Sequence, residues 1–247
     1  MARQVRKVCF MTGGSGRLAS QVACGLAREG YDIFFTWHRS RTKAEATLDK
    51  LRHHAPASAM TQCNIASVAD IRRAFTAFQK HFGRLDLLIT AASNFFGTSL
   101  ENVTEEEWDQ LANTNLKGTF FTMQEGMKLM KKQPFVSRII TISDIAADLT
   151  WTGFAPYTAS KAGVQHLTRV FAKACAPAIL VNSIAPGTFT MNPDWNNEQD
   201  LEEELRTKIP LKRLGKPDEM LSAIRFLAEN SYMTGQVINI DGGRLLY

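Results

Sequence analysis

The sequence predicts an α/β protein with one doubly wound, seven-stranded parallel sheet and helices on both of its faces. Three observations carry that prediction. Seven short β-rich runs alternate with longer amphipathic segments. Most of the runs are apolar without strict alternation, the pattern of strands covered on both faces. The first run leads through a glycine-rich loop into a helix. The strands are expected at Lys7 to Thr12, Asp32 to Trp37, Ser58 to Ile65, Leu85 to Thr90, Arg138 to Ser143, Ala178 to Ile184 and Gln236 to Ile240. Between them, helices are expected at Leu18 to Glu29, Thr42 to His54, Val68 to Phe82, Glu105 to Lys132, Tyr157 to Ala174 and Pro217 to Glu229, with Gly30 closing the first as a C-terminal cap. No linker or repeat interrupts the pattern, so residues 1–247 are expected to form one domain. The polar stretch Met191 to Glu204 reads as part of a substrate lid at about 188–212. Trp195 stands in that lid, with substrate or a neighbouring subunit as its candidate contacts.

Composition narrows the function classes. A chain of 247 residues can bury a sizeable core, and 45% hydrophobic with 21% charged residues is globular rather than disordered usage. The net charge is 29 − 24 = +5 and is scattered, which favours an anionic ligand such as a phosphate-bearing cofactor without requiring nucleic acid. Cys9, Cys24, Cys63 and Cys175 form no Cys-x-x-Cys pair, and for His53 and His54, with Cys63 nearby in sequence, no third ligand has a recognisable spacing. Neither a metal site nor a disulfide framework is therefore expected. The apolar run Val8 to Met11 is too short for a signal-peptide core, and no stretch of roughly 18 apolar residues occurs. A cytoplasmic protein that does not span a membrane is the expectation.

The loop Thr12-Gly13-Gly14-Ser15-Gly16-Arg17 sits between a strand and a helix, where glycines let backbone N–H groups approach a pyrophosphate at the helix N-terminus. That is the context of a Rossmann-type dinucleotide site. Such a site reads the adenosine ribose near the end of the second strand, with an acid for a free 2′-OH or a cation for a 2′-phosphate. Here the region is Thr36-Trp37-His38-Arg39-Ser40-Arg41-Thr42-Lys43, with three permanent cations and no carboxylate. Cations at a helix N-terminus oppose its dipole unless an anion is bound nearby, so NADPH is expected over NADH.

Tyr157 and Lys161 lie four apart at a helix start and therefore share a face, where an ammonium can lower the pKa of a phenol and make it a usable proton donor. The strand before them ends at Asp144, 13 residues upstream, and ligands of open α/β sheets bind beyond the carboxyl ends of strands.

With Thr12-Gly13 and its loop, Asn115, Tyr157-x-x-x-Lys161, Asn182, Pro186-Gly187 and Asp241-Gly242-Gly243, the chain resembles the short-chain dehydrogenase/reductase family over essentially its whole length. The resemblance implies that Tyr157 is the general acid, that Lys161 also binds the nicotinamide ribose, and that Asn115 holds a proton-relay water. It places the cofactor at Gly13, Ser15, Gly16, Arg17, Leu18, His38, Arg39 and Ser40, with Arg17, Arg39 and Ser40 expected around the 2′-phosphate. Asn64 and Ile65 after the third strand, Ala92 and Ser93 after the fourth, and Pro186, Gly187 and Thr188 after the sixth complete the implied cofactor set.

The departures from the family pattern are informative. Arg17 and Ala19 replace loop glycines, Thr90-Ala91-Ala92-Ser93 replaces Asn-Asn-Ala-Gly, and Asp144 stands where the family has its catalytic serine. Arg17, His38-Arg39-Ser40, Asp144 and Ser93-Asn94-Phe95-Phe96 look like the pteridine reductase branch, where the first aromatic stacks on the pterin. Dihydromonapterin reductases similarly share Asp144, Tyr157, Lys161 and Asp241-Gly242-Gly243-Arg244. The expectation is an NADPH-dependent reductase taking a dihydropterin or dihydrofolate to its tetrahydro form. Asp144, Tyr157, Lys161 and Asn115 are its catalytic candidates, and Phe95, Asp144, Tyr157 and Trp195 face substrate. A carbonyl reductase such as a 3-oxoacyl thioester reductase is the alternative, discriminated by Asp144. A non-catalytic NADPH sensor or binding module is the third, and the Tyr157–Lys161 pair argues against it. A homotetramer is implied by family analogy.

Overall fold

The computed structural model describes residues 6–189 and 198–246. Seven strands, β1 (Lys7–Thr12), β2 (Tyr31–Trp37), β3 (Ala59–Gln62), β4 (Leu87–Thr90), β5 (Ser137–Ile142), β6 (Ile179–Pro186) and β7 (Val237–Ile240), form one sheet in the order β3-β2-β1-β4-β5-β6-β7. Every neighbouring pair is parallel. The order reverses between β1 and β4, which opens a crevice beyond their carboxyl ends. Thr12 is paired with Thr90 there, so the glycine loop and the Ala91–Asn94 segment emerge side by side.

Side-chain alternation explains why the strands look uniformly apolar. On β1 and β2, Cys9, Met11, Ile33 and Phe35 pack against the layer of α1 (Arg17–Arg28), α2 (Arg41–Arg52) and α8 (Pro217–Glu229). Val8, Phe10 and Phe34 point the other way, into the layer of α3 (Val68–His81), α5 (Gly118–Met130) and α6 (Ala155–Cys175). Phe10 lies parallel to Phe75 with centroids 4.5 Å apart and meets Phe78 edge-on at 5.4 Å. Gly30 has φ +94°, the left-handed conformation that ends α1. None of the described helices is long and apolar enough to cross a membrane.

Several expected elements differ from those observed, the third strand being shortened to Ala59–Gln62 and the fourth to Leu87–Thr90. The expected helix Glu105 to Lys132 is divided into α4 (Glu105–Leu111), a π turn (Ala112–Lys117) and α5. Gly118 opens α5 against the third strand's exit, where a Cβ would lie 2.6 Å from the Ile65 carbonyl oxygen. Helix α6 begins before Tyr157, at Ala155, with Pro156 in its first turn and a 3₁₀ turn, Thr152–Phe154, leading in. The polar stretch read as lid contains α7 (Glu198–Thr207), whose Glu204 is buried by a partner 40 residues further on. Residues 190–197, Trp195 among them, lie outside the described residues.

Removing the Phe10 ring should leave a cavity between β1 and α3. Phe10→Ala is expected to cost about 3–5 kcal/mol in denaturant unfolding of the purified protein; a loss below about 1 kcal/mol would contradict this packing.

Candidate active site

The crevice is a cleft of about 770 Å³. Its walls include Gly13, Ser15, Gly16, Arg17 and Leu18 from the loop, His38 and Arg39 after β2, Asn64 and Ile65 after β3, and Ala92 and Ser93 after β4. Ser40 follows as the N-cap residue of α2. Gly13 has φ +65°, and a Cβ there would lie 2.9 Å from the Ala92 backbone, so the two loops approach only because the residue is glycine. Thr12 Oγ1 locks that approach by accepting from the N–H groups of Ala91 (3.0 Å) and Ala92 (3.1 Å). Helix α1 starts at Gly16 without a side-chain cap or an acid in its first turn, which leaves its N-terminus suited to an anion. The donor set therefore fits a dinucleotide with a pyrophosphate. Glu106 and Asp109 also line the cleft, from α4 rather than from the end of β2. Cys63 borders it as well, but burial pushes its thiol up to about 12, so it is not a reactive thiolate.

Asn115 connects the cleft to α6. Its Oδ1 accepts from the Asn94 N–H (2.8 Å) and the Ser93 hydroxyl (3.1 Å), while Nδ2 donates to the Asn94 carbonyl (3.0 Å) and to Ser160 Oγ (3.2 Å). The π turn that carries it is a form of helix common at functional sites. In this structure Asn115 fixes the loop after β4 against α6.

Tyr157 Oη donates to Asp144 Oδ2 at 2.5 Å, and Asp144 Oδ1 accepts from the Ala146 N–H at 2.8 Å. Lys161 Nζ donates to the Ile142 carbonyl at 3.3 Å and lies 5.6 Å from the Tyr157 ring centroid. Burial raises the Asp144 pKa above the usual carboxylate range, with Lys161, the Tyr157 and Ala146 hydrogen bonds and Arg244 opposing it. Burial likewise lowers Lys161 to about 8, with Asp144 opposing. The expected lowering of the phenol pKa is not what the geometry gives. Tyr157 is raised well above its ordinary value, by burial first and then by the charge and hydrogen bond of Asp144. The carboxylate is in contact with the phenol, so it outweighs the ammonium. Ser143, beside Asp144, is no substitute for the family serine: its hydroxyl is buried against the Ile184 carbonyl and Ser183.

Phe95, 38% exposed, stacks on Phe154 at 5.0 Å and meets Tyr157 edge-on at 4.8 Å. Phe154 and Trp151 were not among the expected site residues; a Trp-x-x-Phe two residues before a helix-starting proline was the available signal. Pro186, Gly187 and Thr188 are not in the wall of the cleft described above. Gly187 donates to the Ile240 carbonyl (2.9 Å) and Thr188 Oγ1 accepts from Arg244 (2.9 Å), so this segment is tied to the C-terminal turn. Among the described residues no cluster of three or more potential metal ligands occurs.

A parallel sheet of this order, a glycine-loop cleft and a Tyr-Lys pair at the strand ends define a nicotinamide-dependent oxidoreductase. Residues 15–244 match the family described as "Enoyl-(Acyl carrier protein) reductase". The chain is 32% identical over 243 residues to the 3-oxoacyl-[acyl-carrier-protein] reductase FabG of Staphylococcus aureus strain N315, covering 97% of this chain and 98% of that one. It is 32% identical over 253 residues to the 3-oxoacyl-[acyl-carrier-protein] reductase of Synechocystis, covering 100% of both. A variant of actinorhodin polyketide ketoreductase crystallised with NADPH superposes with a TM-score of 0.91 at 25% identity over 100% of both chains. A double mutant of a Serratia marcescens short-chain dehydrogenase/reductase does so with 0.88 at 28% identity, covering 98% of this chain and 99% of that one. The chain belongs to the short-chain dehydrogenase/reductase family. Three of these relatives carry the names of 3-oxoacyl or polyketide ketone reductases, and none of the four is named a pteridine reductase.

Because the Asp144 charge raises the phenol, Asp144→Asn should make Tyr157 ionise at lower pH than in the wild type. Ultraviolet difference titration, with Tyr157→Phe as the blank, checks this; an unchanged or higher midpoint would contradict the contact.

Proposed function

We propose that this family member is an NADPH-dependent reductase of a flat, pterin-like heterocycle, taking a dihydropterin or dihydrofolate to the tetrahydro form. The observation that carries the reading is the half-buried Asp144 carboxyl in the place of the family serine, bonded to Tyr157 at 2.5 Å. Reducing a ring C=N bond needs a hydride at carbon and a proton at nitrogen. NADPH supplies the hydride when bound. A carboxyl whose pKa is raised by burial keeps its proton to higher pH than an ordinary aspartate and can deliver it to a ring nitrogen. Tyr157 holds that carboxyl in place, and Lys161 offsets the carboxylate charge left once the proton has been delivered. Phe95 offers an exposed aromatic ring beside Tyr157 on which a flat heterocycle can stack. Arg17, His38 and Arg39 in the cleft wall suit a 2′-phosphate.

The second reading is 3-oxoacyl thioester reduction, and the names of the relatives favour it over the first. Ketone reduction places its proton on oxygen, a task for which a tyrosine with serine beside it suffices in the family pattern.

Two sets of variants test these statements. Arg39→Ala should lose about 1.5–3 kcal/mol of NADPH binding and little of NADH binding, measured by titration calorimetry; equal losses would remove the phosphate assignment. Asp144→Asn should lower dihydropterin turnover by roughly 10²–10⁴-fold, and Asp144→Ser should not restore it. Wild-type pterin turnover should fall as pH rises through the raised carboxyl pKa, because the protonated form is the active one. Wild-type turnover of an acetoacetyl thioester with none of dihydrobiopterin or dihydrofolate, improved by Asp144→Ser, would establish the carbonyl reading instead.

A further inference from the structure

Arg244 belongs to none of the catalytic or cofactor sets above, yet its guanidinium joins three separate segments. Nη2 lies 2.5 Å from Glu204 Oε1 on α7, and the two side chains are 11% and 7% exposed. Nη1 donates to Thr188 Oγ1, beyond the end of β6, at 2.9 Å. The guanidinium carbon stands 4.9 Å from the centroid of Trp151. From Trp151 the contacts continue as a row of rings: Trp151 to Phe154 at 5.7 Å, Phe154 to Phe95 at 5.0 Å, and Phe95 to Tyr157 at 4.8 Å.

The turn that presents Arg244 is itself built to stay in place. Asp241 accepts from the N–H groups of Gly243 (2.9 Å) and Leu245 (2.8 Å). Gly242 and Gly243 have φ +65° and +88°, and a Cβ on either would lie 2.9 Å from Ile209 or Pro210, just after α7. The Leu211 N–H donates to the Gly242 carbonyl at 3.1 Å. A nearly buried ion pair loses more in desolvation than a surface pair, and breaking it by removing one partner leaves an uncompensated charge. This pair sits where α7 meets the C-terminal turn, away from the main core.

We propose that Arg244 is a positioning residue for the substrate: through Glu204 it fixes α7, and through Trp151 it fixes the row of rings that ends on Phe95 and Tyr157. The charged groups around it are Glu204 from α7, Lys208 just after it and Asp144 from beyond the end of β5, with Lys208 Nζ 3.1 Å from the other Glu204 oxygen. A planar fork can pair with the carboxylate and stack on the indole at once; an ammonium can do only the first well.

The test uses the purified full-length chain. Amide hydrogen exchange read by mass spectrometry should rise at least roughly tenfold in Arg244→Gln, in both 198–207 and 151–157, with α8 and the central strands unchanged. Arg244→Lys should keep 198–207 protected and loosen 151–157. The kinetic arm rests on the reductase reading and uses whichever of dihydrobiopterin and acetoacetyl thioester the wild type turns over. There, Arg244→Gln should raise KM by roughly tenfold while the Kd for NADPH stays within about twofold. The proposal is overturned if either segment keeps wild-type exchange in Arg244→Gln, if the rise spreads through the sheet, or if KM and the NADPH Kd rise together. Exchange needs no substrate, so failure of the functional reading leaves this arm decisive.

Discussion

A half-buried carboxyl, a buried phenol and a buried ammonium meet beyond the end of β5, and none of the three keeps its ordinary proton affinity there. Each alone would be expensive to bury as an ion. Together they are tolerable because the Asp144 charge is offset by Lys161 and held by hydrogen bonds from Tyr157 and Ala146. The surrounding structure maintains that arrangement. Strand β5 ends at Ile142, whose carbonyl accepts from Lys161, and α6 brings Tyr157 and Lys161 onto one face.

The second requirement is that the cleft and this cluster meet at a fixed angle. Asn115 makes the connection, with four hydrogen bonds spanning the loop after β4 and the first turns of α6. A regular α-helix from Glu105 to Met130 would rotate Asn115 relative to its partners, and the π turn supplies the extra residue that sets its direction. Thr12 plays the same part on the other side by holding Ala91 and Ala92 against the glycine loop.

Much of this was legible in the sequence because it depends on local rules. Both-face burial makes the strands of a parallel sheet read as apolar runs, and i, i+4 spacing places Tyr157 and Lys161 together. Asp144 was found from the register of a strand end. The π turn was not legible, since its residues connect to partners far along the chain, Asn115 to Asn94 and Ser160, and the following Gly118 lies against the Ile65 carbonyl 53 residues away. Helix α7 was hidden in an acidic stretch because the burial of Glu204 depends on Arg244. The direction of the Tyr157 shift was missed because spacing shows which charges are near but not which one touches the phenol.

The central claim is that Asp144 is a carboxyl of raised proton affinity in contact with Tyr157. Its titration can be read directly by ¹³C NMR of aspartate labelled at the side-chain carboxyl, with Asp144→Asn identifying the resonance. The account predicts a midpoint above the usual aspartate range, about 3.9 in model peptides. A midpoint at or below the ordinary value in the wild-type protein would contradict it.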